Sequence, residues 1–421
     1  MLALTWRPQL APIDPPARSS FDAALIRRGE QLAGVGNCAA CHTTRDGGPY
    51  AGGVALATPF GTVHGTNLTP DPDTGIGRWS EAAFRRAMRD GVARSGSRLY
   101  PVFPFDHYAR ASDDDLQALY AFLMTREPVR AEAPANRLMF PLGFRPLLAG
   151  WSLLYLDRAP PPHDTRMSAE WNRGAYLTAS LGHCSSCHSP RTALGGEDRR
   201  RRFDGGEAEG WYVPALNAKS PSPLPWSVEQ LTDYLSSGIA RDHAIAGGPM
   251  QGVVAGLARA APADVRAIAV YIGSVMGDPT PQRDERAKAS VARAERGPLV
   301  ANASTVTSGD RSPLGLGAAV YAGACASCHD LGRRLSSGGA LQLPLAVAVH
   351  DPDPRSLIRI VLRGIEPLDG EPGRLMPAFG AQLTDEQVTA LLTFLRQTAA
   401  GAPPWPDLAA AVRSAREDES R

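Results

Sequence analysis

Cys38-Ala39-Ala40-Cys41-His42 is the stretch whose reading decides what this chain is, because it returns as Cys184-Ser185-Ser186-Cys187-His188 and as Cys325-Ala326-Ser327-Cys328-His329. In a Cys-x-x-Cys-His run the two thiols can form thioethers to the edge of a porphyrin while the next imidazole takes the iron. The three runs use all 6 cysteines, so none remains for a disulfide or a four-ligand zinc site. Zinc ribbons need Cys-x-x-Cys pairs at closer spacing, and a thioredoxin-like redox pair leaves the His after every second cysteine unexplained. The expectation is three covalently bound haem c groups on Cys38, Cys41, Cys184, Cys187, Cys325 and Cys328. His42, His188 and His329 are then the proximal iron ligands.

Working outward from these motifs, each is preceded by a short apolar-faced helix and followed, tens of residues later, by another. Phe21 to Val35 with Gly29, Trp171 to Leu181 with Gly174 and Tyr176, and Leu316 to Ala324 with Gly317 and Tyr321 lead into the motifs. Ser112 to Thr125, Pro262 to Val275 and Thr384 to Arg396 close the repeats, two of them opening on Ser or Thr before acidic residues, an N-capping signature. In class I cytochromes c such a leading helix crosses the closing helix through a small residue and an aromatic one. The fold expected is mainly α, as three tandem class I cytochrome c domains spanning 21–130, 166–277 and 313–400. Residues 1–20 form a lead, 131–165 and 278–312 are linkers, and 401–421 is a tail.

The chain of 421 residues has room for three haem domains of roughly 100 residues. Its 42 Gly and 37 Pro favour loop-rich folds built around a cofactor. A formal charge of +1 gives no reason to expect nucleic acid. Haem is joined to cysteine outside the bacterial cytoplasm, so a periplasmic location is expected, although Met1 to Trp6 is too short for a signal or a span. The expectation is that a longer apolar anchor precedes Met1. In the first linker, Leu138 to Leu156 is nearly all apolar but broken by Pro141, Arg145 and Pro146, which argues against a span. Burial against the haem domains is expected there, with docking on a partner or the membrane surface as the alternative. The second linker reads as polar and mobile, and the basic run Arg199 to Arg202 as a solvated loop.

An iron that passes electrons needs a sixth ligand, and the thioether of Met raises its potential. Met376, in Leu375-Met376-Pro377, stands 47 residues after His329, and Met250, in Gly248-Pro249-Met250, 62 after His188. Both precede a closing helix and are the expected sixth ligands of their haems. At the matching distance in the first repeat stands Phe103, which has no lone pair to give. His107 is the first candidate to replace it and His64 the second, with Met88 and Met124 behind them inside helical patterns. A bis-histidinyl first haem would hold the lowest potential of the three. An open first haem would instead make a ligand-binding or peroxidase-like site. His163, His183, His243 and His350 read as structural or exposed.

Together with their surroundings, these residues resemble the three-haem cytochrome c subunits of bacterial membrane-associated dehydrogenases. The likeness covers about residues 20 to 400 and rests on Thr58-Pro59-Phe60-Gly61-Thr62, Thr66-Asn67-Leu68-Thr69-Pro70-Asp71, Gly75-Ile76-Gly77-Arg78-Trp79-Ser80 and Arg173-Gly174-Ala175-Tyr176-Leu177. Where the alcohol dehydrogenase branch carries Met-Pro-Tyr, this chain has Phe103-Pro104-Phe105, followed by Asp106-His107. That form is similar to the subunits accompanying molybdenum hydroxylases of the isoquinoline 1-oxidoreductase, nicotinate or aldehyde dehydrogenase type. The resemblance implies an electron-transfer subunit with no independent active site. Its catalytic partner would be molybdenum-, quinone- or flavin-dependent, and its acceptor a quinone, a cytochrome or a terminal oxidase. It also implies association with the periplasmic face of the inner membrane.

Overall fold

The structure, a computed structural model, describes residues 7–161, 163–299, 312–330, 340–367 and 376–419. Met1 to Trp6, residues 300–311 of the second linker and Leu375 therefore lie outside the described residues. The chain falls into two compact units, Met1–Arg202 with Ala255–Tyr271, and Phe203–Val254 with Ile272–Arg421. The division cuts through the second repeat, so the units do not follow the repeat boundaries read from sequence.

In the first unit the leading helix Ala23–Val35 begins at Asp22, whose carboxylate accepts from the amides of Ala24 and Leu25 at 2.8 and 3.2 Å. It crosses the closing helix Asp113–Met124, capped by Ser112. A Cβ added at Gly29 would lie 1.9 Å from the carbonyl oxygen of Ala118 and 2.6 Å from the Cβ of Phe122. Only glycine permits that approach. The same contact joins Ala169–Ala179 to the part of Pro262–Met276 in this unit, with the Cβ position of Gly174 1.9 Å from the Ala267 oxygen and 2.9 Å from the Cβ of Tyr271. Strands Ala55–Thr58, Gly61–His64 and Arg137–Leu138 form a small antiparallel sheet in that order, pairing Leu56 with Val63 and Gly61 with Leu138. The lead is tied down as well, the Leu10 and Ile13 amides donating to the oxygens of Arg94 and Arg78 at 2.9 and 3.1 Å.

The second unit repeats the crossing a third time. Pro313–Ala324 meets Asp385–Thr398, with the Cβ position of Gly317 2.2 Å from the Ala390 oxygen and 2.7 Å from the Cβ of Phe394. Thr384 and Gln387 form a reciprocal capping box at the start of the closing helix. Around the crossing lies an apolar core including Tyr321, Val349, Ile358, Leu391 and Phe394.

The structure gives shape to the linkers and the tail. Pro281–Glu295, read as a mobile linker, is a helix capped by Thr280 with proline at its first position. The tail forms the helix Leu408–Glu419, and Trp405, Leu408, Val412 and Ala415 complete the core. The first linker holds a short helix, Leu148–Tyr155, that buries Ala149 but leaves Leu153 and Leu154 in solvent, so its apolar character is only partly used inside. Among the described residues no helix is long and apolar enough to cross a membrane.

Candidate haem centres

Each motif forms one short turn of helix just after its leading helix: Cys38–His42, Ser185–His188 and Ala326–His329. The residue before the first cysteine is left-handed in two of them, Asn37 at φ 48° and His183 at φ 35°. That reversal turns the motif out of the axis of the leading helix, and Asn tolerates it better than most residues. None of the six cysteines forms a disulfide, and all are partly exposed. Burial pushes the thiol of Cys38 up to about 12 and those of Cys184 and Cys325 to about 11, so they stay protonated at neutral pH.

The histidines carry the test of whether an iron fits. The Nδ1 of His42 lies 2.6 Å from the backbone oxygen of Thr66, and that of His329 3.0 Å from the oxygen of Leu341. A carbonyl can only accept, so Nδ1 bears the proton and Nε2 is left with its lone pair for a metal. Burial lowers the proton affinity of both rings, outweighing the opposing pull of these carbonyls, and holds them neutral. Beyond His42 the chain is strapped back, the Gly52 amide donating to the His42 oxygen at 2.8 Å. At Gly65 a Cβ would lie 1.8 Å from the Cys41 oxygen. Sequence reasoning missed these carbonyls, which depend on loops returning from 24 and 12 residues away.

Met376 lies in the second unit with His329, and it packs against the core that also touches Cys325. It pairs with Ile365 through both backbone bonds, 3.0 and 3.2 Å. The neighbouring Gly364 makes this possible: at φ 71° it is left-handed, and a Cβ there would lie 2.3 Å from the Met376 oxygen. Met250 stands at the second position of the helix Pro249–Leu257, not on a loop as the sequence suggested. It belongs to the second unit and His188 to the first.

His107 lies in the first unit with His42. Its side chain is buried, with Nε2 3.3 Å from Oε2 of Glu197 and 3.9 Å from Oδ2 of Asp106, and Nδ1 is buried without a hydrogen-bond partner. The carboxylate engages Nε2 and leaves Nδ1 open. Glu197 also accepts from the Ser185 hydroxyl at 2.9 Å. Burial works against the charge of Glu197, but the bond and charge of His107 prevail and bring its carboxyl down to about 2. No local pattern announces Glu197, which is 90 residues further along. His64 lies on the second strand with a buried, unpartnered Nδ1, and Met88 and Met124 are core side chains of their helices. Of the histidines read as structural or exposed, His163 is exposed, whereas His243 is fully buried and stacks on Trp226 at 3.9 Å.

Leading and closing helices crossed through glycine, each with a Cys-x-x-Cys-His turn at its end, define a c-type cytochrome. Residues 26–127 match the family model described as cytochrome c, and residues 313–395 the one described as cytochrome C oxidase, cbb3-type, subunit III. The chain is 44% identical over 418 residues to a nicotinate dehydrogenase subunit of Pseudomonas putida, covering 98% of this chain and 34% of that protein. It thus spans about a third of that relative's length. It is 37% identical to the gluconate 2-dehydrogenase cytochrome c subunit of Pantoea cypripedii, covering 94% of this chain and 90% of the relative. To the fructose dehydrogenase cytochrome subunit of Gluconobacter japonicus it is 34% identical, with coverages of 90% and 80%. The chain belongs to the family of dehydrogenase cytochrome c subunits.

Proposed function

We propose that this chain binds three haem c groups and relays electrons from a catalytic dehydrogenase subunit towards the respiratory chain, in the periplasm at the inner membrane. The observation that carries this reading is the recurrence, three times in one chain, of a glycine crossing followed by a Cys-x-x-Cys-His turn. When bound, haem supplies an iron that cycles between ferric and ferrous forms.

The chain's own residues hold and tune that centre. The cysteine pairs fix the macrocycle, and the Thr66 and Leu341 carbonyls orient His42 and His329. Met376, pinned by Ile365 and Gly364, is the sixth ligand on the third repeat. Met250 has that role on the second by its spacing from His188. Substrate oxidation belongs to the partner, and no independent active site is assigned to this chain. A molybdenum hydroxylase acting on an aldehyde or an N-heterocycle is the partner favoured, supported by the 44% identity to a nicotinate dehydrogenase subunit against 37% and 34% for the sugar-oxidising relatives. A quinone- or flavin-dependent partner is the alternative, and a quinone, cytochrome or terminal oxidase the acceptor.

A second reading is favoured by Phe103, which has no lone pair to give: a first haem left open to small ligands. Mass spectrometry of chain matured in a host competent for haem attachment tests the main proposal, which requires three haem masses per polypeptide; a bare apoprotein mass overturns it. Carbon monoxide added to the reduced protein separates the readings, binding at one haem supporting an open first centre and no binding supporting the relay alone.

A further inference from the structure

One face of the first unit keeps large apolar side chains in water. Met139 is 54% exposed, Phe140 98%, Phe144 62%, Leu147 48%, Leu153 71% and Leu154 64%. The face is built rather than loose. Behind it the Met139 amide donates to the Phe60 oxygen at 3.0 Å, the Arg145 guanidinium lies 4.7 Å over Tyr100, and the Trp151 ring meets Phe105 at 5.5 Å. Ala149 turns inward from the same short helix. Between Leu138 and Leu156 there is no acidic residue, and Arg145, the one charge, is occupied in the packing just described.

The rim has the opposite character. Arg137 stands exposed where the stretch begins. At its other end stand Arg158 and Arg199, the latter bonded to the Tyr155 oxygen, and Arg200 and Arg201 follow, exposed. The acidic groups among them are Asp157, 3.9 Å from Arg199, Asp90, held by Arg158 at 2.6 Å, and Asp198, which accepts from the Arg200 amide at 3.1 Å. Five arginines against three aspartates leave the rim positive.

We infer that this face rests on a lipid bilayer carrying anionic headgroups, with the apolar side chains at the acyl boundary and the arginines among the phosphates. An apolar face bordered by cationic side chains is what interfacial attachment selects, since area burial and headgroup attraction add. A helix of 8 residues, about 12 Å long, lies in that plane and does not cross it. The inference rests on the location at the inner membrane proposed above and names the surface that makes the contact.

Haem-loaded full-length chain is sedimented with vesicles of phosphatidylcholine alone and with added phosphatidylglycerol. The chain is expected to follow the anionic vesicles, less so as salt rises. Joint replacement Phe140→Ser and Leu154→Ser is expected to cost about a hundredfold in affinity, roughly tenfold for each large side chain. Arg200→Glu with Arg201→Glu is expected to abolish the preference for the anionic vesicles. A parent chain that ignores both vesicles, or an apolar variant that binds like the parent, overturns the inference. So does a variant that loses only its dehydrogenase partner on co-purification, which would make the face a protein-docking surface. Haem mass and absorbance of the same samples report on folding and on the electron-transfer reading, so either can fail without the other.

Discussion

Replacing Gly317 by Ala tests the helix crossing on which the third repeat depends. The new Cβ would sit 2.2 Å from the Ala390 oxygen and 2.7 Å from the Cβ of Phe394, so the helices must part by more than 1 Å to reach ordinary contact. Both obstacles are backbone or next to it, and neither can rotate away. Overpacking of this kind costs about 3 kcal/mol at the upper end of its range. Alanine returns about 1 kcal/mol of helix propensity, for a net loss of about 2 kcal/mol. That corresponds to a fall of about 4–8 °C in midpoint for a unit of this size. Gly323, exposed on the same helix with nothing within 4 Å of its Cβ position, supplies the control. Gly323→Ala is expected to be neutral or stabilising by up to about 1 kcal/mol. The assay is thermal and urea unfolding of haem-loaded protein, followed by circular dichroism and by the haem absorbance. Equal midpoints for the two variants would refute the reasoning, because propensity alone would then account for both.

Acid should weaken the second unit through His243. Burial lowers its pKa from 6.5 to about 4, and in that window the unfolded chain binds the proton and the folded one does not. Stability therefore falls as pH drops from about 6.5 to 4, by about 3 kcal/mol for the full shift, and stays flat below. His243→Phe should flatten the pH dependence of the urea midpoint, and an unchanged slope would remove His243 as the cause. In the first unit, Asp115 accepts from Arg28 at 2.9 Å and from the Tyr176 hydroxyl at 2.8 Å, with Arg173 at 3.5 Å. Asp115→Ala is expected to cost about 2–3 kcal/mol, below a fully buried pair because Arg28 is 41% exposed. Chemical denaturation checks it, and a loss under 1 kcal/mol would count against the network. Met376→Ala should leave all haem masses in place but lower the potential of one centre in a redox titration. Three unaltered potentials would show that Met376 is no ligand.

The Cys-x-x-Cys-His motifs are written locally, and the sequence alone was enough to find them. A Cys-x-x-Cys-His turn is complete within five residues, and the glycine of each leading helix, the capping residues and the acidic first turns are likewise local. That is why the observed helices Asp113–Met124, Pro262–Met276 and Asp385–Thr398 begin and end within a residue or two of expectation. Tertiary structure alone decided what depends on residues distant in the chain. It set the Thr66 and Leu341 carbonyls behind two histidines, turned His107 onto Glu197 and used the tail helix to finish the third core. It also chose which side of an almost uniformly apolar linker meets the interior. Hydrophobic composition states how much surface seeks cover, but only the fold determines which of it finds any.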